Sequence, residues 1–111
     1  MIDKKLIIGT MEPQFIQQFF KNKEIFTINE GDNILYKAVD VESVLQTINI
    51  RTLIQNFDRD EKCLRNIQTT RGMKDVLFLT TKGMFRLLHN TKKDVSKEFR
   101  AWTSIILKKY I

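Results

Sequence analysis

The chain has 111 residues, 42% hydrophobic and 29% charged, which suits one globular domain with a single core. No apolar run reaches the ~20 residues of a membrane helix, and Leu6-Ile7-Ile8 near the start is too short for a signal-peptide core. The lone cysteine, Cys63, excludes an intrachain disulfide and points to a reducing, intracellular compartment.

The net charge of +6 is unevenly spread. Residues 1–30 are neutral, 31–61 carry −3 and 62–111 carry +9, the last holding twelve Lys/Arg against Asp75, Asp94 and Glu98. A one-sided excess suggests a surface that meets a polyanion. A solvated face of no special purpose is the plain alternative.

In chain order, Pro13 can open a helix over about 12–22, with Phe15, Ile16, Phe19 and Phe20 on one face. Residues 1–23 then form a leader ahead of a compact body at 24–111. Glu24 to Ile28 and Ile34-Leu35-Tyr36 read as two strands around the turn residues Asn29 to Asn33, a hairpin over 24–37. Val41, Val44, Leu45 and Ile48 then mark one helix, and Ile50, Leu53, Ile54 and Phe57 a second, with Asn49 placed to cap it. Two short helices around a tight turn have the outline of a helix-turn-helix.

Asp58 to Lys62 reads as a polar loop. Two strands follow, Cys63–Thr70 and Asp75–Leu79, around the tip Arg71-Gly72-Met73-Lys74. Gly72 can take the positive φ of a tight connection, and the apolar run Val76 to Leu79 suits a strand buried on both faces. Thr80 or Thr81 can cap the next helix, whose Met84, Phe85, Leu87 and Leu88 face the core and which stops at Asn90. Thr91 and Asp94 resemble a capping box for the last helix. Val95, Phe99, Trp102 and Ile106 make its apolar stripe, with Lys92, Lys93, Lys97 and Arg100 largely off it. The expected fold is α+β: a small domain with short β-hairpins packed against about five helices, including the helix-turn-helix-like pair.

The sequence is short of enzyme parts, and no catalytic residue, metal or cofactor is expected. One His and one Cys cannot build a cysteine/histidine zinc site, and no nucleophile elbow, phosphate loop or dinucleotide fingerprint is present. Cys63, between Lys62 and Arg65, can have a depressed thiol pKa or simply be a small hydrophobe. His89 reads as a partly buried or capping residue, and Asp58, Asp60 and Glu61 as a solvated turn without the glycine of a calcium loop.

Several stretches, in order, resemble a known family. "YKAVDVESVL" supplies Tyr36, Ala38, Asp40 and Val41, matching an aromatic residue and "A-x-D-V" leading into a helix. Asp60-Glu61-Lys62, the basic tip Arg71-Gly72-Met73-Lys74, Gly83-Met84-Phe85-Arg86-Leu87, and Ser96, Phe99 and Trp102 follow. Together they resemble the BRO N-terminal domain of large DNA viruses and phages, related to KilA-N and phage antirepressor domains, over about residues 24–110. Ser96 stands where that family usually has alanine. The resemblance implies a DNA-binding module of a regulatory protein, placed in the host cytoplasm or nucleus if viral.

Two surfaces compete for nucleic acid. The helix pair nominates Asn49, Arg51, Thr52, Gln55 and Asn56, side chains suited to base edges in a major groove. The +9 half nominates Arg71 and Lys74 at the hairpin tip, Arg65 and Lys62 along its strand, and Lys92, Lys93, Lys97 and Arg100 on the last helix, as phosphate contacts. Duplex DNA is favoured over single strands, which call for exposed aromatic platforms; Tyr36 and Tyr110 are the aromatics left open. The rival from another class is a protein-interaction or homodimerisation module of an antirepressor-type regulator. No membrane partner is expected.

Overall fold

A computed structural model describes residues 16–108 of the chain. Pro13, Phe15 and Tyr110 lie outside the described residues, as does the side chain of Ile106. Among the described residues the fold is α+β, with five helices and a four-stranded antiparallel sheet of order β1-β2-β4-β3. Helix α1 is described over residues 16–19, and its Ile16 and the following Phe20 are buried.

Strands β1 (Thr27–Glu30) and β2 (Asn33–Lys37) pair from Thr27↔Tyr36 to Glu30↔Asn33. The expected hairpin is present, but its first strand starts later than Glu24. Phe26 stops short of the strand because its N–H donates to the Asp40 carboxylate at 2.9 Å, an interaction that ties the entry of β1 to helix α2 (Ala38–Leu45).

Helix α2 ends where Gln46 turns into the left-handed region, φ 54°. Ile48, expected on its apolar face, is therefore 87% exposed. Helix α3 is the single turn Ile50–Leu53, shorter than the period through Phe57 suggested, although Ile54 and Phe57 are buried as expected. Asn49 does not cap it with its side chain. It adopts φ 58°, a conformation asparagine tolerates better than most residues, and the Glu42 carboxylate accepts the Ile50 N–H at 2.6 Å instead.

Strands β3 (Lys62–Thr69) and β4 (Gly72–Leu79) pair along their whole length, Lys62↔Leu79 to Thr69↔Gly72. The tip is thus Thr70-Arg71, closed by Gly72 at φ 94°. Met73 and Lys74 belong to the ladder, opposite Gln68 and Ile67. The two hairpins meet through just two residue pairs, Tyr36↔Leu79 and Lys37↔Phe78. At that junction Phe78 and Leu79 are fully buried, whereas Val76 and Leu77 are half-buried.

Helix α4 (Thr81–Asn90) starts as expected, with the Thr80 hydroxyl accepting the Gly83 N–H at 3.1 Å. Helix α5 (Asp94–Lys108) starts later than Thr91 suggested: the Lys93 carbonyl accepts its first bond, from the Lys97 N–H. The Thr91 hydroxyl pairs with that of buried Ser96. The aromatic stripe is core. Phe99 is fully buried and meets Phe19 and Phe85 edge-on at 5.1 and 5.7 Å, and Trp102 packs beside them. Tyr36 is also buried, which removes it as a stacking platform. Its hydroxyl has no hydrogen-bond partner among the described residues, and burial pushes its pKa up to about 12.

Candidate nucleic-acid interface

The β3–β4 hairpin leaves the core at Phe78, and beyond Val76 it carries mostly exposed polar side chains. Alternation sorts them. Asn66, Gln68, Met73 and Asp75 share one face, and Arg65, Ile67 and Lys74 the other. Arg71 sits at the turn and is exposed, as is Lys74; neither charge has an ion-pair partner among the described residues. The turn itself is braced by Thr69, whose hydroxyl donates to the Gly72 carbonyl at 2.7 Å and accepts the Arg71 N–H at 3.2 Å. On the outer face the Asn66 amide donates to the Asp75 carboxylate at 2.9 Å. The ribbon is held in shape by its own side chains while its cations point to solvent.

The second group of cations lies around the start of α5. Lys92, Lys93 and Lys97 are exposed without an ion-pair partner among the described residues. Arg100 is different: its guanidinium donates to the Leu88 and Thr91 carbonyls, each at 2.9 Å. It closes the C-terminal end of α4 onto α5, a favourable place for a cation because the last carbonyls of a helix lack intrahelical partners.

Two further nominated residues hold structural positions. Arg65 grips Glu30 with two bonds, at 2.7 and 2.9 Å, across the curled sheet. The Lys62 ammonium donates to the Ile54 and Gln55 carbonyls at 2.9 Å each, satisfying the chain just past α3. Around α3, Asn49, Arg51, Thr52, Gln55 and Asn56 are all exposed. Arg51 and Gln55 line a groove against β3 and do not lie on a free convex helix face. Arg59, which the sequence reading passed over inside the "DRDEK" loop, lines the same groove and is exposed. Its neighbours Asp58 and Asp60 made it look like one member of a solvated charge mixture.

The acidic loop is less solvated than its sequence suggests. Asp58, Asp60 and Glu61 place carboxylate oxygens within 4.8 Å of one another, but Lys82 holds Asp60 at 2.6 Å and Arg86 holds Glu61 at 2.6 Å. Glu61 is 4% exposed. Burial pushes its pKa up, and the Asp58 N–H and Arg86 outweigh that, leaving it below the ordinary carboxylate value. Arg86 also lies over the Phe57 ring at 4.4 Å. Cys63 reverses one expectation: burial raises its thiol pKa, and the nearby Arg65 charge does not overcome that. His89 stacks against Phe85 at 4.6 Å, where desolvation and then the Arg100 charge hold its pKa below the usual value.

Residues 24–107 match the family model of the BRO family, N-terminal domain. The chain belongs to that family. No curated protein and no solved structure matches it. In this Bro-N domain the residues that carried the resemblance have structural explanations. Tyr36, Ala38 and Val41 are core residues, Asp40 binds the Phe26 N–H, and Glu61 joins the loop to α4 through Arg86. Arg71 at the turn and Lys74 in the adjoining ladder are exposed members of the pattern whose charges have no ion-pair partner among the described residues. No described helix is long and apolar enough to cross a membrane.

Proposed function

We propose that this Bro-N domain is a double-stranded-DNA-binding module of a viral or phage regulatory protein. In this reading Arg71 and Lys74 on the β3–β4 ribbon, with Lys92, Lys93 and Lys97 at the start of α5, contact phosphates. The observation that carries it is how the charges are divided. Arg65, Lys82 and Arg86 are matched to carboxylates of the same chain, whereas the cations of the hairpin and of the α5 start, like Arg51 and Arg59 near α3, are exposed without an ion-pair partner among the described residues. A two-stranded ribbon fits the width of a major groove, so in this reading the ribbon enters the groove with the exposed Gln68 toward base edges while the cations fix the register.

Salt dependence tests this. If five phosphates are neutralised, a slope near −0.9 per phosphate predicts a loss of roughly 500-fold in affinity between 50 and 200 mM salt, against about 40-fold for three. Fluorescence-anisotropy titration of a labelled duplex should therefore show a steep salt dependence for wild type and a shallower one for Arg71→Ala/Lys74→Ala. The proposal fails if the folded wild type does not bind the duplex at low salt. It also fails if the double variant keeps both the affinity and the slope of wild type.

A further inference from the structure

The groove between α3 and β3 has features that phosphate contact does not call for. It is about 460 Å3 in volume, within the range of ligand-sized clefts. Its floor is apolar: Leu64 is 55% exposed, its cross-strand partner Leu77 is half-buried, and the Phe57 ring closes one end. Its rim is cationic. Arg51 stands on α3, Arg59 on the following loop and Lys62 at the start of β3, and no carboxylate among the described residues lines it. Arg51 and Arg59 have no ion-pair partner among the described residues. Along one wall runs β3, an edge strand of the sheet, which pairs with no strand but β4 among the described residues.

We infer that this groove is a docking site for an extended, acidic segment of a partner protein, laid along β3 with an apolar side chain seated on Leu64 and Leu77. The chemistry selects that occupant. A hollow apolar floor receives a protruding side chain, and a DNA duplex has none to offer. The unpaired guanidiniums of Arg51 and Arg59 call for carboxylates, which bind Arg in bidentate fashion. An edge strand can add a strand, and the period of two in an added strand brings every second side chain to the face that holds Leu64 and Leu77. This docking site does not depend on the DNA contacts proposed above, although Leu64 shares a ribbon face with Asn66 and Gln68.

The test uses the full chain and a short fluorescein-labelled peptide in which leucine and phenylalanine alternate with aspartate and glutamate. A control peptide keeps the carboxylates and carries alanine at the apolar positions. Wild type should bind the first peptide and bind the control at least tenfold more weakly, while Arg59→Glu/Leu64→Ser should lose about tenfold in affinity for the first. Arg51→Glu, on α3, should reproduce the loss. All three substituted side chains are exposed, so circular dichroism should stay native. Arg71→Ala/Lys74→Ala should bind the peptide as wild type does, which separates this site from the hairpin. Absence of peptide binding at low salt, equal affinity for the two peptides, or equal binding by the groove variants would each overturn the inference. So would a groove variant that loses labelled duplex DNA and leaves peptide binding unchanged, because the groove would then belong to the nucleic-acid surface.

Discussion

Replacing Gly83 by alanine should destabilise the protein, contrary to the rule for glycine in helices. Alanine in place of a helical glycine ordinarily gains up to about 1 kcal/mol. Here the new methyl would lie far inside contact distance of the Glu61 carbonyl oxygen, 2.9 Å from its carbonyl carbon and 3.2 Å from Leu79 Cδ2. That carbonyl has little freedom to retreat. It accepts the Thr80 N–H at 3.0 Å, and the Glu61 side chain is anchored by Arg86 and by the Asp58 N–H. Moving α4 away would break the Thr80 cap, whose hydroxyl also donates to the Asp60 carbonyl at 2.7 Å. Overpacking contributes roughly 1–3 kcal/mol, the lost cap about 1 and the strained carbonyl bond about 1, so after the helical gain the net cost is about 2–4 kcal/mol. At roughly 4–8 °C per kcal/mol for a domain of this size, the midpoint should fall by about 10–30 °C. Thermal unfolding followed by circular dichroism measures this directly. A Gly83→Ala protein as stable as wild type, or more so, would refute the reasoning.

Three other expectations concern buried or half-buried polar groups. Thr91→Val should cost about 1–3 kcal/mol by leaving the buried Ser96 hydroxyl without its partner, and adding Ser96→Ala should restore part of the loss, a non-additivity that urea denaturation of the double-mutant cycle would detect. Acid should weaken the fold through Glu61. Because its pKa lies below the ordinary 4.5, the stabilisation is complete above that value and disappears as pH falls through the lowered one, so Glu61→Gln should flatten the acid limb of a plot of melting temperature against pH. Cys63 should react with iodoacetamide at neutral pH more slowly than a free thiol and accelerate as pH rises, since burial holds its thiol pKa up; a rate at pH 7 equal to that of free cysteine would contradict this.

Features governed by near neighbours were legible in the sequence. The strand pair that became β3 and β4, the glycine that closes their turn, the Thr80 cap and the Phe99–Trp102 stripe all depend on residues within a few positions of one another, and the structure has them. What escaped notice depends on partners far along the chain. Glu61 looked solvated because Arg86, which lets it be buried, lies 25 positions away. Asn49 looked like the cap because it precedes the helix, whereas the group that caps Ile50 comes from Glu42 on the preceding one. The candidate interface followed the same pattern. Arg71 and Lys74 were recognisable from charge and from the turn. That Arg65, Lys62 and Arg100 are engaged within the fold, and that Arg51 and Arg59 share a groove, emerged only once the chain was folded.

The narrow junction between the two hairpins also bears on how such a domain can change over generations. Because β4 pairs with β2 only at Phe78 and Leu79, and the Arg65–Glu30 pair ties the ribbon one step farther out, the ribbon beyond Arg65 is free to vary in length. Adding two residues to each strand would carry the basic turn farther out while every side chain kept its face; adding one to each would exchange the two faces and bring Arg65's side of the ribbon to where Gln68 now stands. The reach and the chemistry of the ribbon can therefore diverge among descendants while the core that supports it stays the same.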